Sequence, residues 1–156
     1  MPTLKEGMKA PEFTVPSSTG KEISLKDVRG KKRVVLYFYP KDDTPGCTVE
    51  ACGFRDNIKK VEQADAVVWG VSPDNTDSHD KFITKFKLPF TLLSDTDKKI
   101  CQAYGVWVEK SMYGKTYMGV ARTTFIIGKD GTIEKIFEKV KPEAHAQEVL
   151  DQLKNA

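Results

Sequence analysis

The sequence predicts an α/β fold, a central mixed β-sheet flanked by helices on both faces, and three observations carry that expectation. Two short runs of β-branched and aromatic residues, "KRVVLYFY" (32–39) and "DAVVWGVS" (65–72), lack clean alternation, which suits strands buried on both faces. The segment between them is long enough for a helix, so strand, helix and strand form a βαβ unit with a right-handed crossover. Near the C-terminus, "ARTTFIIGKDGTIEKIFE" (121–138) reads as a hairpin turning at Asp130-Gly131, which adds antiparallel strands to the parallel core.

Taken in order, "RGKKR" (29–33) is the one tight basic cluster and reads as a solvated turn before the first core strand. Thr44 followed by Pro45 marks a helix start, with Thr44 as N-cap, Pro45 at N1, Gly46 at N2 and Cys47 at N3. "TDSHDKFITKFK" sets Phe82, Ile83 and Phe86 at helical spacing, capped by Thr76 or Asp77, and "LPFTLLSD" then resumes extended chain. "DKKICQAYG" (97–105) is a short helix ended by Gly105. The segment "VEKSMYGKTYMG" (108–119) reads as a loop leading to Arg122, serving either as a substrate or partner rim or as packing. The tail places Pro142 in a first turn and Ala146, Val149, Leu150 and Leu153 on one stripe of a closing helix.

Bulk properties exclude several function classes. A chain of 156 residues and 17.5 kDa has room for one domain, spanning 1–156. Its net charge of +3 comes from interspersed acids and bases, which argues against nucleic-acid binding. The start "MPTLKEGMKAPEF" has no apolar core of a signal peptide, and no run approaches a membrane span, so a cytoplasmic protein is expected. The spacing of Cys47, Cys52 and Cys101 matches no zinc pattern, and His79 and His145, read as surface or helix-face residues, lack ligand-spaced partners. Neither a metal nor a cofactor is called for.

Chemistry concentrates in "YPKDDTPGCTVEACGFRD". At N3, Cys47 faces backbone N–H groups without intrahelical partners, and the helix macrodipole favours a thiolate there. The bare spacing leaves it either a reactive thiol or a small buried hydrophobe. Five residues along a helix correspond to roughly 7.5 Å of rise and about 140° of rotation, a Cα separation of about 8–9 Å. A disulfide needs about 4.4–6.8 Å, so Cys47 and Cys52 could pair only if the helix opened. Gly53 lowers the cost of opening; equally, Cys52 could be a core thiol and Gly53 a packing residue. Cys101 lies on the apolar side of its short helix and reads as inert.

The stretch from Pro40 to Thr48, "PKDDTPGCT", resembles the active-site loop of the peroxiredoxins, and "CTVEAC" resembles the bacterioferritin comigratory protein, or Q-type, branch. "GMKAPEF", "SLKDVRGKKRVVLYFYP" and Arg122 before "TTFII" extend the resemblance over nearly the whole chain. It implies a thioredoxin-like fold and a thiol-dependent peroxidase acting on hydrogen peroxide and organic hydroperoxides. By the same resemblance, Cys47 is the peroxidatic cysteine, oxidised to a sulfenic acid, and Cys52 the resolving cysteine, closing an intrachain disulfide that thioredoxin or a similar dithiol reduces. Thr44 and Arg122 would contact the peroxide, Pro40 would shield the pocket, and Glu50 would stand behind the active centre. Resolution within one chain favours a monomer. A peroxide-sensing thiol switch and a thiol-disulfide exchanger are the competing readings, although the exchanger would want C-x-x-C.

Overall fold

The computed structural model describes residues 4–155. Strand β1 (Thr14–Pro16) pairs antiparallel with β2 (Glu22–Ser24), a ribbon on which the sequence reading was silent. The chain then runs through β3 (Arg33–Phe38), α1 (Pro45–Asp56), α2 (Ile58–Gln63), β4 (Ala66–Ser72), α3 (Thr76–Phe86), β5 (Thr91–Ser94) and α4 (Lys99–Ala103). It continues through β6 (Trp107–Met112), β7 (Lys115–Val120), β8 (Thr123–Ile127), β9 (Ile133–Phe137) and α5 (Pro142–Asn155).

The main sheet has the order β5-β4-β3-β8-β9, with β3, β4 and β5 parallel and β8 and β9 antiparallel, so the mixed sheet is as expected. Its central strand β3 is buried on both sides. Val35, Tyr37 and Tyr39 enter one core with Phe54, Phe82, Val149 and Leu150, while Val34, Leu36 and Phe38 enter another with Val15, Ile100 and Tyr104. Helices therefore lie on both faces, but unequally. The crossovers from β3 to β4 and from β4 to β5 step the same way along the sheet, and right-handedness puts α1 and α3 on the same side. α5 joins them there, and α4 with the β1–β2 ribbon covers the other face.

Four local readings need correction. The helix after Thr44 is broken at Asn57, whose side-chain amide donates to the Gly53 carbonyl at 2.8 Å, and α2 follows as a separate turn. α3 is capped by Asn75, one residue earlier than expected, whose Oδ1 accepts from the Ser78 N–H at 2.9 Å. Segment 108–119 is an antiparallel hairpin: Met112 pairs with Lys115, and Tyr113 and Gly114 turn with φ of 53° and 77°. Positive φ at both central residues suits the right-handed twist of the flanking strands, and Tyr113-Gly114 lacks the usual Asn-Gly signature.

Both histidines are fully buried, not on the surface. On α5, His145 Nε2 meets Thr124 Oγ1 at 2.7 Å, and its ring stands edge-on to Phe54 and Phe137. Burial pushes its pKa below the ordinary value. The far end of α5 is held by Arg33, which donates to the Leu153 carbonyl at 2.8 Å, placing a cation at a helix C-terminus.

Gly70 in β4 leaves room for side chains of both neighbouring strands: a Cβ there would lie 2.7 Å from Leu92 Cδ2 and 2.9 Å from the Tyr37 ring. Gly70→Ala is expected to lose about 1–3 kcal/mol of stability through overpacking, read as a lower urea midpoint with an unchanged slope.

Candidate active site

The loop between β3 and α1 is bolted down by hydrogen bonds. Asp42, itself buried, accepts from Tyr39 Oη at 2.5 Å and Ser78 Oγ at 2.8 Å, and meets His79 Nδ1 at 2.7 Å. Its own N–H donates to Asp74 at 2.8 Å, and His79 Nε2 reaches the Leu93 carbonyl at 2.9 Å. Asp42, Asp74 and His79 converge as a cation site would, yet their atoms are spent on one another and on the loop. The cluster is a strut between the loop, α3 and β5, and it explains why His79 is buried.

Thr44 is extended (φ −94°, ψ 157°) and Pro45 opens α1, as the sequence indicates. The cap bond itself is missing. Thr44 Oγ1 donates instead to the Lys41 carbonyl at 2.9 Å, so its proton is committed and its lone pairs are free. Pro40, two residues beyond β3, is half-buried at the loop's start.

Cys47 is 1% exposed, and Arg122 Nη2 lies 3.4 Å from its Sγ. Nη1 of the same guanidinium donates to Glu50 Oε1 at 2.7 Å. Residues three apart on a helix share a face, so Cys47 and Glu50 together present a sulfur and a carboxyl oxygen to one planar cation. Gly46 makes the approach possible: a Cβ there would lie 3.1 Å from Nη2. The sequence places Gly46 only within the helix, since a missing side chain gives no signal of what passes across it.

Glu50 reaches the centre through Arg122, one contact away from the sulfur. It is 1% exposed, and Oε2 is buried without a partner among the described residues. Burial raises its carboxyl pKa to about 7, against the pull of Arg122. Cys52 is half-buried on the same unbroken helix, and all three thiols are free. Cys101 is fully buried; burial first, and then Asp95, push its thiol far above the ordinary range, which suits an inert residue. The structure therefore brings together Cys47, Glu50 and Arg122, sets Thr44 beside the helix start, and holds Cys52 on α1 five residues along from Cys47.

Because Glu50 binds its proton more tightly in the folded protein than an ordinary carboxylate does, the fold holds more protons than the unfolded chain between about pH 4.5 and about pH 7. Its contribution is fully present below the unfolded pKa and lost as pH rises through the folded one. Glu50→Gln, which keeps an acceptor for Arg122, is expected to remove this loss, so wild-type stability should fall relative to the variant over that window. Urea unfolding at several pH values checks it.

Residues 7–136 match the AhpC/TSA family. Peroxiredoxin Bcp of Bacillus subtilis is 47% identical over 153 residues, 98% of this chain and 97% of the relative. Peroxiredoxin Bcp of Escherichia coli K12 is also 47% identical, over 154 residues, 99% of this chain and 98% of the relative. Among solved structures, a Xylella fastidiosa PrxQ mutant superposes with a TM-score of 0.93 at 36% identity, covering 99% of this chain and 98% of its own. The Xanthomonas campestris bacterioferritin comigratory protein, studied for its alkyl peroxide reduction activity, gives 0.90 at 37% identity, with 97% and 98% covered. The thioredoxin-like fold that the sequence implied stands with these neighbours.

Proposed function

This chain belongs to the AhpC/TSA family, in the branch of the Bcp peroxiredoxins, and is a thiol-dependent peroxidase; we propose that Cys47 is its peroxidatic cysteine and Cys52 its resolving one. The observation that carries this reading is the 3.4 Å contact between Arg122 and Cys47 Sγ at the start of α1.

The Cys47 thiolate attacks the terminal oxygen of a hydroperoxide. An S–O bond forms, the O–O bond breaks, and the departing alkoxide or hydroxide takes a proton from solvent to leave as alcohol or water. Negative charge grows on the leaving oxygen, so donors fixed beforehand lower the barrier. Arg122 is that donor, with Glu50 and the empty edge of Gly46 fixing its plane. Thr44, whose hydroxyl donates to the Lys41 carbonyl, accepts from the peroxide O–H. Pro40 closes the pocket on the β3 side. The sulfenic acid then condenses with Cys52, releasing water and forming a disulfide. A thioredoxin-type dithiol restores the thiols by exchange.

The whole chain acts as one domain, since both cores share one sheet. It works as a monomer, because both cysteines of the cycle come from one helix. The need to reduce the disulfide at each turnover points to the cytoplasm. No helix of the described residues is long and apolar enough to cross a membrane.

Arg122→Lys keeps the charge and loses the planar fork, which leaves one amine to serve both Cys47 and Glu50. Oxidation of Cys47 by hydrogen peroxide, followed by stopped flow before any reductant is added, should slow by more than about tenfold, a barrier change of about 1.4 kcal/mol. An unchanged rate would reduce Arg122 to a generic cation.

Since α1 runs unbroken through both cysteines, their Cα atoms, about 8–9 Å apart in a helix, cannot reach disulfide range without backbone change. Amide hydrogen exchange should show residues 46–56 losing protection in the disulfide form relative to the reduced form. Equal protection in both, with the Cys47–Cys52 bond verified by mass, would rule out the opening.

A further inference from the structure

The Thr44 hydroxyl turns its lone pairs outward because its proton is taken by the Lys41 carbonyl at 2.9 Å. That carbonyl belongs to the same peptide unit as the Asp42 N–H, which donates to Asp74 Oδ2 at 2.8 Å. A trans peptide is planar, with C=O and N–H pointing in opposite directions, so fixing one end fixes the other. No cis peptide bond occurs among the described residues. The acceptor for Thr44 is therefore aimed by a side chain at the opposite end of the same plane.

Asp74 stands between β4 and α3, half-buried, 32 residues from Asp42 in sequence. Its Oδ2 accepts a second bond from Ser72 Oγ at 2.7 Å, and the Asp74 N–H returns to that hydroxyl at 3.3 Å. Ser72, fully buried at the end of β4, so fastens Asp74 to the sheet. The Asp42 side chain is held separately, by Tyr39, Ser78 and His79. Those bonds place the loop, whereas the bond to Asp74 sets the plane of the peptide between residues 41 and 42. An acceptor on the N–H also polarises the amide and strengthens its carbonyl as an acceptor. With that carbonyl turned away, the Thr44 hydroxyl is a rotor that can present either a proton or a lone pair.

We propose that Asp74 is a positioning residue for peroxide reduction, acting through the Lys41–Asp42 peptide to hold the Thr44 hydroxyl as an acceptor. The inference rests on the reading above, in which Cys47 attacks the peroxide and Thr44 accepts from its O–H.

The test is a double-mutant cycle in the full chain, read as the single-turnover rate of Cys47 oxidation by hydrogen peroxide. Thr44→Val removes the hydroxyl and keeps the shape of the side chain, and Asp74→Ala removes the acceptor of the Asp42 N–H. Asp74→Ala should slow the reaction by about fivefold alone and by less than about twofold in the Thr44→Val background, because its effect passes through the hydroxyl. Asp74→Asn, which offers one oxygen to the same two donors, should recover most of the loss. A merely structural role would slow both backgrounds alike, so equal slowing overturns the proposal, as does an Asp74→Ala rate equal to wild type. Should Asp74→Ala fail to fold, Asp74→Ser, whose hydroxyl oxygen sits one bond closer to the backbone, goes through the same cycle. An unchanged rate in Thr44→Val alone would overturn the acceptor role of Thr44 and this inference with it. Failure of wild-type Cys47 to react with hydrogen peroxide would overturn the peroxidase reading itself.

Discussion

The guanidinium of Arg122 joins two parts of the chain that sequence keeps 75 residues apart, holding Cys47 with one nitrogen and Glu50 with another. The rest of the structure can be derived from what this contact demands. Its two partners must lie on one helix face, which the three-residue spacing provides. Its plane must pass the helix without obstruction, which Gly46 provides. The helix start must not drift, and the strut of Asp42, Asp74 and His79 ties the preceding loop to α3 and β5. Arg122 itself is placed by the sheet, because β8 begins at the next residue and pairs with β3 from Val34 to Phe38, the strand that leads to the cysteine.

The same contact sets the electrostatics. One cation faces both a sulfur and a carboxyl group, and burial makes a full negative charge on Glu50 expensive. Against the pull of Arg122, Glu50 holds its proton to about pH 7. Over the range where Glu50 titrates, the guanidinium is shared between a carboxylate and a sulfur, and the share each receives depends on pH.

Much of this was legible in the residues. Strands β3, β4 and β8, the start of α1 and the stripe on α5 follow from apolar patterning, Thr44-Pro45 and Pro142, because burial and backbone geometry act locally there. Cys47 and Arg122 were found through motif resemblance, and spacing alone left Cys47 open between a reactive and a buried residue; the structure makes it buried and in contact with Arg122. What escaped notice depends on partners distant in sequence. His79 and His145 look like surface residues until Asp42, Leu93 and Thr124 are brought beside them by the fold. The β6–β7 hairpin escaped because its strands are half exposed, with polar and apolar residues mixed on each face, and its turn uses tyrosine. Gly46 escaped because its role is to be absent where Arg122 passes.

The two helices that pack together on the active-site face are fastened differently. α5 is tied to the sheet at both ends, by His145 to Thr124 and by Arg33 to the Leu153 carbonyl, and peroxide chemistry changes neither tie. The first turn of α1 is tied to the sheet through Arg122, and one of those two ties ends on the sulfur that reacts. In the proposed cycle, turning a thiolate into a neutral sulfenic acid discharges that anchor. The reaction thus unlatches the helix that has to move, leaving the other as a fixed bed, so the order of events is written into which helix carries the charge.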